Sequence, residues 1–363
     1  MSKKDKKTKA VFVIPDMGSG GAERVVSILA NEFAGRGLPV GIVYLLDGRT
    51  DYPLSDGVEK IVFNASGKGK IGALRAFRKL IKELKEDSYP VLIPFHDTCL
   101  KYCAVATRFS RVPVVACERN NPYIKGTSFT ARLKSNLPYM NAKRCVFQTG
   151  GAKDYYYRPV RKKSAVISNP LNTDILLDWH GETSDTVVSV GRLELQKNHA
   201  MLIDAFAVVA EKYPELKLDI YGEGSLRGAL EEKIKTLGLT GKANLCGLTD
   251  KIGDVLASSR MFVLSSDYEG MSNALIEAMA AGVPVVSTDH PTGGARALIV
   301  DGVNGFLTPV GDAGALAEAM IKYLSDPERT AKIAKEAKKI ASGLSPGATA
   351  DKWQEVIEAC RTH

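Results

Sequence analysis

Patterns that hold metal are missing from this sequence. No two aspartates stand at i and i+2, so there is no Asp-x-Asp to seat a divalent ion on a diphosphate. Cationic side chains and helix ends would have to neutralise such a group instead. The six cysteines, Cys99, Cys103, Cys117, Cys145, Cys246 and Cys360, form no Cys-x-x-Cys pair and have no histidines at zinc-ligand spacing. That spacing indicates neither a zinc site nor a disulfide frame and suits buried thiols in a reducing compartment. No apolar run approaches the roughly 20 residues of a membrane span, and MSKKDKKTK lacks the apolar core of a signal peptide. A cytoplasmic protein is expected. Basic segments interleaved with stacking aromatics are also lacking, so nucleic acid is not an expected partner.

What is present points to two α/β domains. At 363 residues the chain exceeds the roughly 100 to 200 residues of one ordinary domain. Short apolar runs recur along it: Ala10–Ile14, Pro39–Leu46, Lys60–Phe63, Val91–Phe95, Pro113–Cys117, Arg144–Thr149 and Ala165–Ser168, then Thr186–Arg192, Leu216–Gly222, Ala243–Gly247, Met261–Ser266 and Pro284–Thr288. Runs of this kind belong to parallel strands buried on both faces, with helices between them. Helices are expected to begin near Asn198, Ser225, Asp250 and Met271, and three more to follow Asp312. The aperiodic stretch Ser168–Asp185 is expected to be a linker. Two Rossmann-like doubly wound domains, facing each other across a cleft, follow from this rhythm, with ligands beyond the strand C-termini. The boundaries predicted are 1–170, joined by a C-terminal helix at 345–363, and 171–344.

Charge is divided unevenly between the halves. Residues 1–175 carry 30 Lys and Arg against 15 Asp and Glu, and the remainder carries 19 against 26. A basic front half suits a polyanionic partner such as an anionic membrane surface. In Lys68–Glu86 the set Ile71, Leu74, Phe77, Ile81 and Leu84 has helical spacing. Around it Arg75, Arg78, Lys79, Lys82 and Lys85 are candidates for membrane contact. Lys125, Arg132 and Lys134, with Phe129 and Leu133, form a second such patch.

The chemistry concentrates in Met261–Thr288, read as strand, loop, helix and strand. It places Glu269 in the loop above a buried strand and Glu277 a little under two turns into the helix that follows. The amides of Gly270, Met271, Ser272 and Asn273 head that helix and attract anionic oxygens. The two carboxylates are then placed to take neutral hydroxyls on either side of a diphosphate. Val190-Gly191-Arg192 ends a strand and Lys197 enters a helix on the same sheet edge, supplying a bidentate fork and a point charge. In front, Gly18, Gly20 and Gly21 open a helix in a turn that is not the dinucleotide Gly-x-Gly-x-x-Gly, but whose backbone can approach phosphate closely, making Gly20 and Gly21 candidates for donor binding.

Taken together, these segments resemble the retaining glycosyltransferases of the two-domain GT-B architecture, in the large family four. The residues that carry the resemblance are Gly18–Arg24, Gly191–Asn198, Tyr221–Gly224, Glu269–Glu277, Ala281–Val285 and Thr292–Gly294. Within the family the chain looks most like bacterial enzymes that extend a lipid-diphosphate-linked oligosaccharide with N-acetylgalactosamine, N-acetylglucosamine, galactose or glucose. The resemblance implies a UDP-sugar donor, a polyprenyl-diphosphate-linked saccharide acceptor and no metal or other cofactor. It implies that Arg192 and Lys197 hold the donor diphosphate, that Glu269 and the amides from Gly270 to Ser272 meet the donor sugar, and that Glu277 takes the ribose. It places the enzyme peripherally on the cytoplasmic face of the inner membrane. One departure stands out: where many relatives have histidine, the chain reads Glu118-Arg119, and Arg119 cannot shuttle a proton. Glu23, His96, Asp97, Glu118 and Arg119 are therefore candidates for the acceptor and phosphate side. A GT-B epimerase and an inert sugar-nucleotide or polyanion-binding protein are the competing readings.

Overall fold

The computed structural model describes residues 6–18, 20–46, 52–64, 67, 69–180 and 184–361. Ser19 of the glycine-rich turn, Lys68 at the head of the basic segment and residues 181–183 of the linker lie outside these. Two compact units result, residues 1–170 with 346–363, and residues 171–345. Among the described residues no helix is long and apolar enough to cross a membrane.

The first unit contains β1 (Thr8–Ile14), β2 (Val40–Tyr44), β3 (Val58–Val62), β4 (Tyr89–Pro94), β5 (Val115–Glu118), β6 (Arg144–Phe147) and β7 (Ser164–Val166). All pairings are parallel, in the orders β3-β2-β1-β4 and β5-β6-β7. A bridge from Leu92 to Val114 continues the first sheet into the second. The second unit contains β8 (Thr186–Val190), β9 (Lys217–Tyr221), β10 (Ala243–Gly247), β11 (Met261–Leu264), β12 (Val285–Thr288) and β13 (Phe306–Thr308), in the order β10-β9-β8-β11-β12-β13. Each unit thus reverses direction once, between β1 and β4 and between β8 and β11. This is the doubly wound arrangement, and the crevice beyond the strand C-termini at that reversal is where such sheets bind ligands. Strands buried on both faces explain why apolar runs such as Met261–Leu264 are continuous rather than alternating.

Several expectations are corrected in detail. The helix of the basic segment is Gly69–Asp87, and its buried face is Ala73, Phe77, Ile81 and Leu84, whereas Ile71 is 70% exposed. Ile71 falls outside the i, i+4, i+8, i+11 row that the other four occupy. The linker is packed between Ile175 and Trp179: Ile175, Leu176 and Trp179 lie on the second unit's core, and Trp179 Nε1 donates to the Ser259 carbonyl at 2.8 Å. Helices expected near Ser225, Asp250 and Met271 begin two residues later, at Arg227, Ile252 and Asn273. Among the described residues four helices, not three, follow Asp312: Ala313–Ser325, Pro327–Lys338, the short Ile340–Gly343 and Pro346–Glu358. The last of them belongs to the first unit, where Trp353 is fully buried and stacks on Phe95 at 5.7 Å.

Candidate active site

In the second unit the parallel pairing of β8 with β11, Met261 opposite Val187 and Phe262 opposite Val188, brings two loops side by side. One runs from Gly191 to Asn198 and the other from Ser265 to Ser272. They are laced together: Asp267 N donates to the Gln196 carbonyl at 2.9 Å, Ser265 Oγ to the Lys197 carbonyl at 2.8 Å, and Asn198 Nδ2 to Asp267 Oδ1 at 2.8 Å. Asn198 sits in the left-handed region at φ 44° and caps the helix His199–Lys212. The first loop is held from beneath by Gly222, where a Cβ would come within 2.0 Å of the Gly191 carbonyl oxygen. Only glycine permits that backbone crossing.

Glu269 is the centre of this lacing and is buried. Its Oε1 forms an ion pair with Lys197 and accepts from Ser266 Oγ at 2.9 Å, while Oε2 accepts from Gln196 Nε2 at 3.2 Å. Burial alone would push this carboxyl's pKa up, but Lys197 and Ser266 outweigh it and hold the group below its ordinary value. It is ionised and fixed in aim. Lys197 folds its stem over Gly191, where a Cβ would stand 2.9 Å from the lysine Cε. With three donors on its ammonium and, among the described residues, one committed to Glu269, Lys197 has two for a ligand. Arg192 is exposed on the same loop.

The helix Asn273–Ala281 begins directly after this carboxylate. Ser272 caps it, its hydroxyl accepting from Leu275 N at 3.3 Å, and Gly282 ends it at φ 88°. Glu277 is buried on its second turn and borders a recess lined by Asn172, Ile175, Leu176, Gly253 and Leu256. Cation, oriented carboxylate and helix head therefore converge within one unit. The sequence reading named Lys197, Glu269, Gly270–Asn273 and Glu277. It missed Gln196 and Ser266, although Gln196 stood inside a segment already quoted for the resemblance.

The first unit has its own set of polar residues at the strand C-termini. Lys125 Nζ bridges Glu118 Oε2 at 2.7 Å and Asp97 Oδ2 at 2.9 Å. The buried Glu118 also accepts from the Tyr156 hydroxyl at 2.6 Å and the Tyr139 hydroxyl at 3.3 Å. Burial, then the charge of Glu118, pushes both phenols well above their usual range. Arg119 lies over the Phe95 ring at 4.6 Å and donates from Nη2 to Asn169 Oδ1 at 2.5 Å, and burial lowers its pKa to about 10. Gln148 Nε2 donates to the same Asn169 oxygen at 2.7 Å. His96 caps the helix Asp97–Thr107 through Thr98 N, accepting at 3.4 Å. Glu23 follows Gly20 and Gly21 at the head of the helix Gly21–Gly35, its pKa raised by burial and by Asp16 and countered by His96.

Two of the cations assigned to membrane patches prove to be committed inside the unit. Lys125 is the bridge just described, and Arg132 donates to the Tyr155 carbonyl at 2.6 Å between the rings of Tyr155 and Tyr157. On the helix Gly69–Asp87, Lys85 donates to the Ser110 carbonyl at 3.0 Å and Arg78 to the Val105 carbonyl at 3.3 Å. Arg75, Arg78, Lys79 and Lys82 are exposed, Arg78 despite its bond and Lys79 lying 3.8 Å from Glu83.

The chain is similar to known glycosyltransferases. Residues 180–340 match the family model described as glycosyl transferases group 1. The chain is 28% identical over 358 residues, 96% of its own length and 98% of the relative's, to a Campylobacter jejuni alpha-1,4-N-acetyl-D-galactosaminyltransferase whose name gives a diNAcBac-PP-undecaprenol-linked disaccharide as acceptor. It is 30% identical over 211 residues to the putative glycosyltransferase EpsD of Bacillus subtilis, of which it covers 53%. Among solved structures, Anabaena HepE in complex with UDP-glucose superposes with a TM-score of 0.83 at 22% identity, over 97% of this chain and 99% of that one. The last likeness speaks to fold, which is GT-B.

Proposed function

We propose that this chain, a hexosyltransferase that belongs to the glycosyl transferases of group 1, moves a hexose or N-acetylhexosamine from a UDP-sugar to a polyprenyl-diphosphate-linked saccharide with retention of configuration and without a metal. The observation that carries the reading is the ion pair of Lys197 and Glu269, locked by Gln196 and Ser266 at the head of a serine-capped helix. The reaction's main demand is to stabilise charge on a departing diphosphate, and a preorganised ammonium with helix-head amides meets it. Arg192 and the two remaining Lys197 donors take the diphosphate, and Glu277 takes the ribose. Glu269 orients the sugar. Its oxygens are engaged by three side chains, which argues against a covalent nucleophile. The acceptor hydroxyl attacks on the face that the diphosphate leaves, its oxygen bonding to the anomeric carbon as the carbon–phosphate-oxygen bond breaks. A phosphate oxygen receives its proton.

The named acceptor of the Campylobacter relative and the UDP-glucose bound by HepE support the choice of substrates. Arg119, held by Phe95 and Asn169, and the separate Lys125, Asp97 and Glu118 group supply the acceptor side. Contact with an anionic membrane on the cytoplasmic side is supported by Arg75, Lys79 and Lys82, and more strongly by the helix Phe129–Asn141. That helix exposes Phe129, Leu133, Leu137 and Met140 at i, i+4, i+8 and i+11, one continuous apolar face beside the exposed Lys134.

The test is a screen of UDP-sugars against diphosphate-lipid saccharides in excess EDTA, with the product's anomeric configuration read by NMR. Transfer with retention is expected, and flotation with anionic vesicles should weaken in Leu133→Glu. Strict dependence on magnesium or manganese, or no affinity for UDP, would overturn the reading. Inhibition by DNA competitor would instead favour a polyanion-binding protein.

A further inference from the structure

Behind Glu269 lie His290 and Thr292; the sequence segments include Thr292 but give it no role, and do not include His290. His290 follows β12 and is 1% exposed. Its Nδ1 stands 3.0 Å from Thr292 Oγ1, and the Thr292 hydroxyl donates to the backbone carbonyl of Glu269. A hydroxyl has one proton to give. Since Thr292 spends it on that carbonyl, the ring must donate from Nδ1 to Thr292, which leaves Nε2 as a bare lone pair. Nε2 is out of reach of water and has no partner among the described residues. Such a ring is neutral, in keeping with burial holding its pKa below the usual value against the pull of Glu269. The ring is also wedged in place: a Cβ on Gly294 would meet His290 Cε1 at 2.8 Å and the Gly270 carbonyl oxygen at 2.0 Å.

The consequence runs through one peptide plane. The Glu269 carbonyl and the Gly270 N–H belong to the same rigid unit and point in opposite directions. Whatever fixes one aims the other. We propose that His290 and Thr292 form a positioning relay in which the imidazole orients the Thr292 hydroxyl, the hydroxyl pins the Glu269 carbonyl, and the Gly270 N–H is thereby aimed at the donor's charge. This rests on the donor-site reading above. Neither residue touches substrate; both act through the backbone between the oriented carboxylate and the helix head. The turn Thr292–Gly294 packs against that backbone so closely that the aim cannot relax without moving the turn.

The experiment compares His290→Ala, His290→Asn, Thr292→Val, Thr292→Ser and the double variant His290→Ala with Thr292→Val. Turnover and KM for the UDP-sugar are measured along with UDP affinity and thermal unfolding. Asparagine carries an amide donor near the place of Nδ1, and serine keeps the hydroxyl, so both should retain turnover within about threefold of the parent. His290→Ala and Thr292→Val should each lose roughly 10²-fold in turnover, as when an oxyanion donor is misplaced, with UDP still bound. The double variant should be no worse than either single one, because the two residues act in series. Parent-like turnover in a folded Thr292→Val variant, equal losses in the Asn and Ala variants, or losses that multiply in the double would each overturn the relay. Should His290→Ala fail to fold, the Thr292 pair decides alone. A parent protein that binds no UDP marks failure of the donor-site reading instead, so the two failures are distinct.

Discussion

Replacing Lys197 with alanine tests what holds Glu269 ionised inside the second unit. The two side chains are 14% and 10% exposed, so the pair is largely removed from water. Deleting one partner of a buried pair costs about 3 to 5 kcal/mol, because it strands the other charge. Here Ser266 and Gln196 still bond the carboxylate, which places the expected cost near the lower limit, about 3 kcal/mol. In a unit spanning residues 171–345 that corresponds to a fall of roughly 6 to 12 °C in Tm. Of the two tryptophans in the chain, Trp179 packs on the second unit and Trp353 lies in the core of the first. Fluorescence-detected unfolding in a Trp353→Phe background therefore reports the second unit through Trp179 alone. The charge argument has a sign in pH as well. In the parent, Glu269 has a depressed pKa, so its contribution is complete above the ordinary value of 4.5 and is lost as pH falls through the lower folded value. Without Lys197, burial dominates and raises the folded pKa above the unfolded one, so the variant's deficit should grow as pH rises from 4 towards 7. Adding Glu269→Gln to Lys197→Ala removes the stranded charge and should restore most of the stability. Turnover should stay down by roughly 10²-fold or more in both, since the diphosphate has still lost its cation. A Tm within about 2 °C of the parent, or no recovery in the double variant, refutes the stranded-charge reasoning.

Glu277→Ala should weaken UDP binding roughly tenfold, a loss of about 1.4 kcal/mol. Calorimetry with UDP and with 2′-deoxy-UDP checks the cause: the loss should shrink for the deoxy ligand, and equal UDP affinity in variant and parent removes the ribose assignment. His199 is buried, and that burial, with the nearby charge of Lys197, lowers its pKa from 6.5 to about 4. The unfolded chain therefore binds the extra proton between those values, so the stabilisation is complete above 6.5 and is lost as pH falls towards 4, about 3 kcal/mol in all. His290 is shifted the same way, so the check is the difference between the parent and His199→Leu. Trp179-detected stability should fall less steeply from pH 7 to pH 5 in the variant, and parallel slopes would contradict the assignment.

The strands and their parallel, doubly wound class were legible because strands buried on both faces must be apolar throughout, and runs such as Val91–Phe95 and Met261–Ser266 state this in one dimension. β13 was not legible: Phe306–Thr308 is three residues, too short to show a period, and exists because β12 offers it an edge. Helix starts ran early for a local reason. Ser272 was read as part of a helix from Met271, yet its side chain caps the helix and its backbone stays extended at φ −79°, ψ 120°.

The site divides along the same line. Glu269 and Lys197 announced themselves by residue type and spacing, but the groups that aim Glu269 come from elsewhere in the chain: Gln196 is 73 residues before it and Thr292 is 23 after. They meet only because the sheet order sets β8 against β11 and β11 against β12. Lys125 shows the converse error. Counted as charge, it belonged with Arg132 and Lys134 on a basic surface. The Asn121 side chain accepts from Tyr123 N at 2.9 Å and starts a single 3-10 turn, Pro122–Lys125, which curls the lysine back onto Glu118, seven residues earlier. That turn was readable in Asn121-Pro122, but the buried carboxylate it returns to was not, since burial is a property of β5's place in the sheet. A net charge can therefore indicate that a unit favours polyanions, while the cations free to meet one emerge only after subtracting those, like Lys125, that the fold has already spent on its own carboxylates.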